Sequence, residues 1–179
     1  MSEIIVVRSL AESDLGIFSA HQRAIGSKQR AIGLTTPAAR RLLDERLFSQ
    51  GSSTLDCICV YGSIASREWR LLKKVGKNWR LGGRKLVGDE FAALDSKDFL
   101  LLRSHEGNDG STPVLLTFVG RKGQRVKHAG LAALMEKRLH QSIAIFAEAS
   151  AEFDQIAALF PLVPAQFAIG PGNPVAPRR

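Results

Sequence analysis

The stretch TLDCICVYGSIASREWRLLKKVGKNWRL, residues 54–81, decides which fold this sequence can form. Its first part is apolar and rich in β-branched residues up to Gly62, which predicts a strand. A basic segment follows from Ser63, and the four residues VGKN at 75–78 predict the turn of a hairpin within it. The middle of the chain is therefore predicted to be β-structure.

Cys57 and Cys59 are the only cysteines, and they lie two residues apart in this predicted strand. Side chains alternate between the two faces of a strand, so both thiols are expected on the same side. A disulfide between strand residues two apart has poor geometry. The four histidines do not have the spacing that a zinc site requires. We expect two buried thiols, no metal and no other cofactor.

Short strands are predicted on both sides of this hairpin. Residues 4–10 (IIVVRSL) and 29–35 (QRAIGLT) have the composition of strands, and a long polar loop separates them. Residues 37–48 predict one amphipathic helix, which Thr35 or Thr36 caps at its start. Further along, the chain predicts a short helix, a strand, a turn cluster and a second, antiparallel strand, at residues 86–94, 97–106, 107–111 and 112–120.

Many short strands with few small helices favour a mainly β fold of the α+β class, in the form of a closed or partly closed barrel. We expect this barrel to occupy residues 1–125. Residues 126–160 are rich in Ala, Leu and Glu, and they predict a helical extension packed on the barrel. Residues 161–179 hold most of the prolines and predict a tail or linker.

Lysine and arginine outnumber the acidic residues by 25 to 17, which gives a formal net charge of +8. Such a balance is typical of proteins that bind nucleic acid or an anionic membrane surface. No apolar run approaches the roughly 18 residues that a membrane helix needs. The amino terminus also lacks the basic start of a secretory signal. We therefore expect a cytoplasmic protein that does not enter the membrane.

The polar and basic residues concentrate in two segments, residues 11–30 and residues 63–80. No acid interrupts residues 19–32, and the second segment contains both tryptophans. Lysine and arginine bind phosphates, while Arg, Gln and His are side chains that read base edges in the major groove. The two segments are either solvated basic loops or, taken together, a nucleic-acid-binding surface.

Motifs for catalysis are weak in this sequence. Asp95, Ser96 and Lys97 have the acid-x-Lys pattern of metal-dependent nucleases, and Asp89 and Glu90 lie just upstream. This spacing is too short to bring separate strands together, so a surface turn is the simpler interpretation. The chain has no G-x-S-x-G elbow and no Walker phosphate loop. We expect no catalytic residue, and the alternative of a small magnesium-dependent nuclease rests on Asp89, Asp95 and Lys97.

From residue 4 to about residue 120, the order of motifs resembles the amino-terminal effector-binding domain of the restriction endonuclease EcoRII. That domain is a DNA-binding pseudobarrel, a fold shared with the B3 domain of plant transcription factors. The similarity includes a first strand, then a loop from Ser9 or Leu10 through Asp14 and Gly16 that is similar to the family's Ser-x-x-Asp-x-Gly loop, and then the pair His21-Gln22. A second strand and a helix that ends on Leu47-Phe48 follow.

Two later segments extend the resemblance. YGSIASREWRLLKK is similar to the second, basic recognition arm of the family, with Arg67, Glu68 and Arg70 in the contacting positions. LDSKDFLLLRS is similar to the family's Leu-x-x-Gly-Asp turn and the strand after it. Asp98 occupies the Asp position of that turn, and Lys97 replaces the usual glycine.

The resemblance implies a B3-like, open pseudobarrel of seven strands that grips double-stranded DNA. The first arm (residues 11–30) and the second arm (residues 63–80) enter the major groove from the two ends of the barrel, and the concave sheet between them follows the DNA backbone. The candidate base-reading residues are His21, Gln22, Arg23, Lys28, Gln29 and Arg30 in the first arm and Ser66, Arg67, Glu68, Trp69 and Arg70 in the second. The candidate phosphate-binding residues are Lys73, Lys74, Lys77 and Arg80.

The function that this resemblance implies is sequence-specific binding of double-stranded DNA. The chain is then the target-recognition domain or subunit of a restriction-modification or defence enzyme, and its partner is a nuclease domain or a nuclease subunit. Besides the nuclease interpretation above, an RNA-binding or protein-interaction module stays open as an alternative.

Overall fold

A computed structural model describes residues 2–22, 29–138 and 141–162 of the chain. Eight strands and four α-helices, with three short 3₁₀ segments, are found in these residues. The strands are β1 (Glu3–Ser9), β2 (Ile32–Leu34), β3 (Ser52–Tyr61), β4 (Ile64–Val75), β5 (Asn78–Leu81), β6 (Phe99–His105), β7 (Val114–Val119) and β8 (Ile143–Ala147). The helices are α1 (Thr36–Leu42), α2 (Glu45–Gln50), α3 (Arg125–Glu136) and α4 (Ala151–Leu159), and the 3₁₀ segments are Glu12–Ile17, Ser19–His21 and Asp89–Ala93.

The strands form one sheet in the order β2-β5-β4-β3-β7-β6-β1-β8, so that β2 and β8 are its two edges. Neighbouring strands are antiparallel except for β3 and β7, which run parallel. The sheet curls until its edges approach each other, which leaves a cleft of about 270 Å³ lined by Gly33 and Leu34 of β2 and by Ile143 of β8. Helix α1 contacts both β5 and β8. A mainly β, partly closed barrel of the α+β class is thus confirmed. The predicted count of seven strands is wrong, because β8 adds an eighth.

Alternating side chains give the sheet an inner and an outer face. Ile4 and Val6 of β1 point inward to the main core, which α1 and α2 also line. Ile5 and Val7 point outward and pack in a second cluster with residues of α3 and α4. Because β1 is buried on both faces, its sequence is a continuous apolar run rather than an alternating one.

The helix predicted over residues 37–48 is two helices in the structure. The Thr35 hydroxyl accepts a hydrogen bond from the Ala38 amide (3.4 Å) and caps α1, as predicted. The chain then leaves the helical conformation at Leu43, and the Asp44 carboxylate caps α2 by accepting from the Leu47 amide at 2.7 Å. An Asp in this position starts a helix, which the amphipathic pattern alone did not reveal.

The carboxy-terminal extension differs from the helical prediction for residues 126–160. Two helices are present, but Ile143–Ala147 between them is β8, which pairs with β1 in the main sheet. Phe146 faces the second cluster and Ile145 faces the main core, so the segment is apolar on both sides and its pattern does not distinguish a strand from a helix. Most of the predicted tail, residues 163–179, lies outside the described residues. In the described ranges, none of the helices has the length and apolar character that crossing a membrane requires.

The two thiols are buried, as predicted. Cys57 and Cys59 have exposed fractions of 0% and 3%, and both point into the main core as free cysteines. Burial is the largest cause that raises the pKa of Cys57 well above its ordinary value, and it raises the pKa of Cys59 to about 12. Both side chains are therefore neutral, apolar groups at physiological pH.

Candidate functional site

The outer face of the sheet has a covered half and an open half. Helices α3 and α4 cover β1, β6 and β8. Over β4, by contrast, Trp69 and Leu71 are 46% and 40% exposed, although Arg70 and Leu72, the residues that follow each of them, are fully buried. This alternation shows which side chains of β4 point outward. We call the following residues of β4 and β5 the open face: Arg67, Trp69, Leu71, Lys73, Val75, Asn78 and Arg80.

Arg67 lies on the open face in a two-pronged ion pair with Asp56 of β3. Its Nε lies 3.0 Å from Oδ1 and 3.1 Å from Oδ2 of Asp56, and its Nη2 also donates to Oδ2. This carboxylate raises the pKa of Arg67 above its ordinary value, mainly through the hydrogen bonds and then through charge. Trp69 lies directly across from Asp56 in the β3–β4 pairing. Asp56 thus holds the guanidinium in one place beside an exposed indole.

The candidate phosphate-binding residues give this side of the molecule a positive charge. Lys73, Lys74 and Lys77 are exposed, and within the described ranges none of them forms an ion pair. Lys74 pairs with the inward-facing Trp79, so it points away from the open face, which corrects the expectation for this residue. Arg80 is half-buried, and its Nη1 donates to Oε1 of Gln29 at 2.7 Å. Four cations thus lie on or next to β4 and β5 without an ion-paired acid among the residues described.

The end of the first arm adjoins the open face. Besides accepting from Arg80, Gln29 donates through Nε2 to the carbonyl of Ala31 at 2.7 Å. Gly82, the residue after β5, lies close to both Ala31 and β4. A Cβ placed on it would lie 3.4 Å from the Cβ of Ala31 and 4.0 Å from the carbonyl oxygen of Leu71. Gln29 and the exposed Arg30 therefore lie beside β4 and β5.

The start of the first arm is tied to the body of the protein. Nε2 of His21 lies 2.9 Å from the carbonyl oxygen of Phe91, and Nε2 of Gln22 donates to the carbonyl of Gly16 at 3.2 Å. Both side chains are half-buried. In this arrangement they anchor the arm, and they are not exposed tips. The predicted contacts Arg23 and Lys28 lie outside the described residues.

The base of the first arm is organised by Asp14, which is fully buried. Its Oδ2 accepts from Nε and Nη2 of Arg8 at 3.0 and 2.8 Å and from the amide of Ala11 at 2.8 Å. Its Oδ1 accepts from the amide of Gly33 at 3.0 Å. Arg8 belongs to the end of β1 and Gly33 to β2, so Asp14 connects the two strands from which the arm emerges.

The five candidate base-reading residues of the second arm lie in one continuous strand, β4, which corrects the expectation for three of them. Ser66, Glu68 and Arg70 point to the inner face, since alternate residues of β4 face opposite sides. Arg70 is completely buried and forms an ion pair with Glu68, and it also donates to the carbonyl of Arg84. Ser66 donates to Glu68 at 2.9 Å. Only Arg67 and Trp69 of the five predicted base-reading residues point outward.

The two arms do not lie at opposite ends of the barrel. Tyr61 ends β3 and pairs with Phe118 of the parallel strand β7, at the same end of the sheet as the last residue of β1. Phe18 of the first arm stacks on Phe91 (5.0 Å between ring centroids), and Phe91 stacks on Tyr61 (5.6 Å). The first arm and the β3–β4 turn therefore share one end of the sheet, and the β4–β5 turn with Lys77 is at the other.

Asp56 is the residue of this surface that the sequence analysis missed. It is a single acid in an otherwise apolar strand. Its signal is visible only when β3 and β4 are aligned, because the register places Asp56 opposite Trp69 and therefore diagonal to Arg67. Register cannot be read from the two strand sequences separately.

The acids of the nuclease alternative form no metal site in the described ranges, where no group of three or more His, Cys, Asp or Glu side chains is arranged to hold a metal ion. Asp95 instead accepts from the Ser96 amide at 2.9 Å. The neighbouring Asp98 is buried and accepts from the amides of Asp95 (2.8 Å) and Arg121 (3.0 Å). Lys97 sits in the left-handed region with φ = 70°. These residues build a turn, as the simpler interpretation predicted.

The sequence was also compared with known proteins. No model of a protein family matches it, and a search of curated proteins gives no match either. The open face and the motifs of the chain itself are therefore the features from which a function is inferred.

Proposed function

We propose that this chain is a B3-like pseudobarrel that binds double-stranded DNA sequence-specifically, as the recognition domain or subunit of a restriction or defence enzyme. The observation that carries the proposal is the open face. It combines exposed cations, an exposed tryptophan and a held arginine on a sheet surface that helices leave uncovered. Lysines free of ion pairs are available for phosphates, whose neutralisation supplies most of non-specific affinity.

The charge of the open face argues for DNA rather than a second copy of the chain. Two such faces would bring Lys73 and Arg80 of each copy against the same cations of the other, which is unfavourable. A polyanion removes this repulsion and also contacts the apolar side chains between the cations. The DNA-facing set that we propose is Arg67, Trp69, Lys73, Lys77 and Arg80 with Gln29, Arg30 and the first arm.

The motif residues of the first arm have structural roles that support the proposed B3-like fold. Asp14 connects β1 and β2 through buried hydrogen bonds. Gly16 packs so closely that a Cβ on it would lie 2.0 Å from the carbonyl oxygen of Gln29. An acid and a glycine at this spacing therefore shape the loop from which the proposed arm projects.

Selection from a pool of randomised duplexes, followed by mobility-shift titration of the selected site, tests the proposal. We expect a consensus site and binding that weakens with salt. Lys73→Glu is expected to weaken binding to all duplexes, and Lys137→Glu, an exposed lysine after α3, is the matched control that leaves it unchanged. Selection of no consensus, or equal binding of an RNA duplex of the same sequence, would contradict the proposal.

A further inference from the structure

We infer that Asp56 is a positioning residue that presents Arg67 to the N7 and O6 acceptors of one guanine in the major groove. The inference rests on the proposed function, and it adds the base that one residue of the open face reads. It rests on the hydrogen bonds that the Asp56 carboxylate accepts from the Arg67 guanidinium.

The ion pair leaves one edge of the guanidinium free. Asp56 occupies the side edge, because Nε and Nη2 of Arg67 both donate to its carboxylate. A guanidinium has five N–H donors, so Nη1 and the second hydrogen of Nη2 form an unoccupied fork at the end of the side chain. In the described part of the chain, Nη1 makes no hydrogen bond. The Arg67 side chain is 29% exposed, which leaves this fork open to a ligand.

A fork of two parallel donors fits guanine better than the other bases. Guanine presents two adjacent acceptors in the major groove, whereas adenine presents one acceptor beside a donor, and thymine presents an acceptor beside a methyl group. Arginine in this end-on geometry is the commonest specific partner of guanine.

The same carboxylate disfavours a phosphate partner. The Arg67–Asp56 pair has no net charge, and the acid lies within hydrogen-bond distance of the fork's own nitrogen Nη2. Asp56 repels an anionic phosphate much more strongly than the neutral edge of a guanine. Lys73, three outward positions farther along β4 and outside any ion pair in the described ranges, has the opposite character and suits a phosphate.

Trp69 reinforces the arrangement. It lies directly across from Asp56 in the strand pairing, and the Asp56 side chain is only 11% exposed. Excluding water from one side strengthens the ion pair. The arginine is therefore oriented before DNA binds, which lowers the entropy that is lost when it contacts a base.

The test uses the consensus site from the duplex selection, in which each guanine is replaced in turn by 7-deazaguanine, which lacks the N7 acceptor. For the unmodified protein we expect one guanine at which this replacement weakens binding by roughly 5- to 150-fold. Arg67→Lys, Arg67→Ala and Asp56→Ala are expected to lose the response at that position only. Lys73→Ala, the control on the same strand, is expected to keep it while weakening all duplexes alike. Circular dichroism establishes that each variant is folded.

Asp56→Ala has a second expected effect that a merely structural role would not produce. It releases Arg67 as an uncompensated cation, so affinity for unrelated duplexes should rise and the slope of log Kd against log salt should steepen by about one phosphate contact. In the Arg67→Ala background, the Asp56 change should alter neither quantity.

The outcomes separate the inference from the proposed function. A consensus site whose guanine responses are unchanged in the Arg67 and Asp56 variants would overturn the inference and leave DNA recognition standing. An equal loss at every position in Arg67→Lys would do the same, because it would make Arg67 a phosphate contact. Absence of any consensus in the selection would overturn both.

Discussion

At the scale of single residues, the turn before β6 places a lysine where the backbone favours glycine. Lys97 has φ = 70°, and it is the one non-glycine residue with positive φ in the described ranges. Its amide donates to the carbonyl of Leu10 at 2.7 Å, which ties the turn to the end of β1. The resemblance places a glycine here, and the structure shows why a glycine suits the position.

Replacing Lys97 with glycine is therefore expected to stabilise the protein. The change removes the strain of a left-handed L-residue but increases the entropy of the unfolded chain, so the net gain is about 0.5–1 kcal/mol in the free energy of unfolding. Urea denaturation followed by fluorescence measures it. Ser96→Gly is the control, because Ser96 lies one residue earlier and does not have a positive φ. This change should lower the free energy of unfolding by about the same amount. A Lys97→Gly protein less stable than the original would show that the side chain has a role of its own.

Arg70 and Glu68 form an asymmetric pair. Arg70 is fully buried, whereas the Glu68 side chain is 27% exposed. Removing Glu68 leaves the charge of Arg70 unpaired in the interior, whereas removing Arg70 leaves Glu68, an acid that can reach water. We expect Glu68→Ala to lower the free energy of unfolding by about 3–5 kcal/mol. Arg70→Met, of similar length, should lose about 2 kcal/mol at most.

The same two variants test whether Arg70 touches DNA. Chemical denaturation ranks their stabilities, and mobility shift on the selected site measures binding. We expect folded Arg70→Met to bind with unchanged sequence preference, since its partner lies inside the protein. A loss of preference at one base pair would return Arg70 to the DNA-contacting set.

At the scale of elements, alternation along β4 decides which of its residues face solvent. The sequence presents Arg67, Glu68, Trp69 and Arg70 as one basic cluster. The strand divides them, so that two point outward and two point inward. A loop could have presented all four side chains to one ligand. Because β4 is a strand as far as Val75, only the two outward side chains stay candidates for contact with DNA.

The thiols of β3 give this element a pH-dependent stability. Both have a raised pKa when folded, and Cys59 is near 12 against an ordinary value of 9.0. Above pH 9 the unfolded chain releases thiol protons that the folded chain retains. The free energy of unfolding therefore falls as the pH rises from about 9 towards 12, by up to about 1.4 kcal/mol per pH unit for each thiol.

Denaturation curves at about pH 8 and about pH 10.5 measure this effect. Cys59→Ala is expected to be less stable at pH 8, because it leaves a small cavity, but to lose less stability at the higher pH. Equal losses for the two proteins would contradict a buried, raised thiol. Other groups titrate in the same range, and the comparison with the variant cancels them.

At the scale of the whole molecule, a buried acid links the two sides of the opening in the barrel. Asp14 accepts from Arg8 of β1 and from the backbone of β2, although these strands lie at opposite sides of the sheet order. Arg8 also donates to Ser142, just before β8, at 2.9 Å. The curl of the sheet therefore depends on a polar network at its edges as well as on the apolar core.

Asp14→Ala is expected to lower the free energy of unfolding by about 3–5 kcal/mol, because it removes the ion-pair partner of Arg8 and leaves two half-buried amides without an acceptor. Urea denaturation measures the loss. Asp44→Ala, which removes only the cap of α2, is the matched control and should cost about 1 kcal/mol. Similar losses for the two variants would show that the edges are held together mainly by packing.

Much of the barrel was predictable from the sequence, because local patterns determine local elements. The strands at β1, β3, β6 and β7, the β4–β5 turn, the cap at Thr35 and the buried thiols follow from alternation and turn residues. The apolar segment at β8 was misassigned, since a run that is apolar on both faces fits a helix equally well. The prediction of a single helix over residues 37–48 was wrong, because Asp44 caps the start of a second helix there.

Composition and local patterns are enough to show that the chain is basic, mainly β and apolar enough to form a core, and that its cations concentrate near β4 and β5. Which of those cations are available depends on contacts that exist only in the folded chain. Strand register pairs Arg67 with Asp56, alternation buries Arg70, and the curl of the sheet brings the first arm beside β5. These are contacts between residues distant in sequence, and their free energies come from burial and geometry that no local pattern contains.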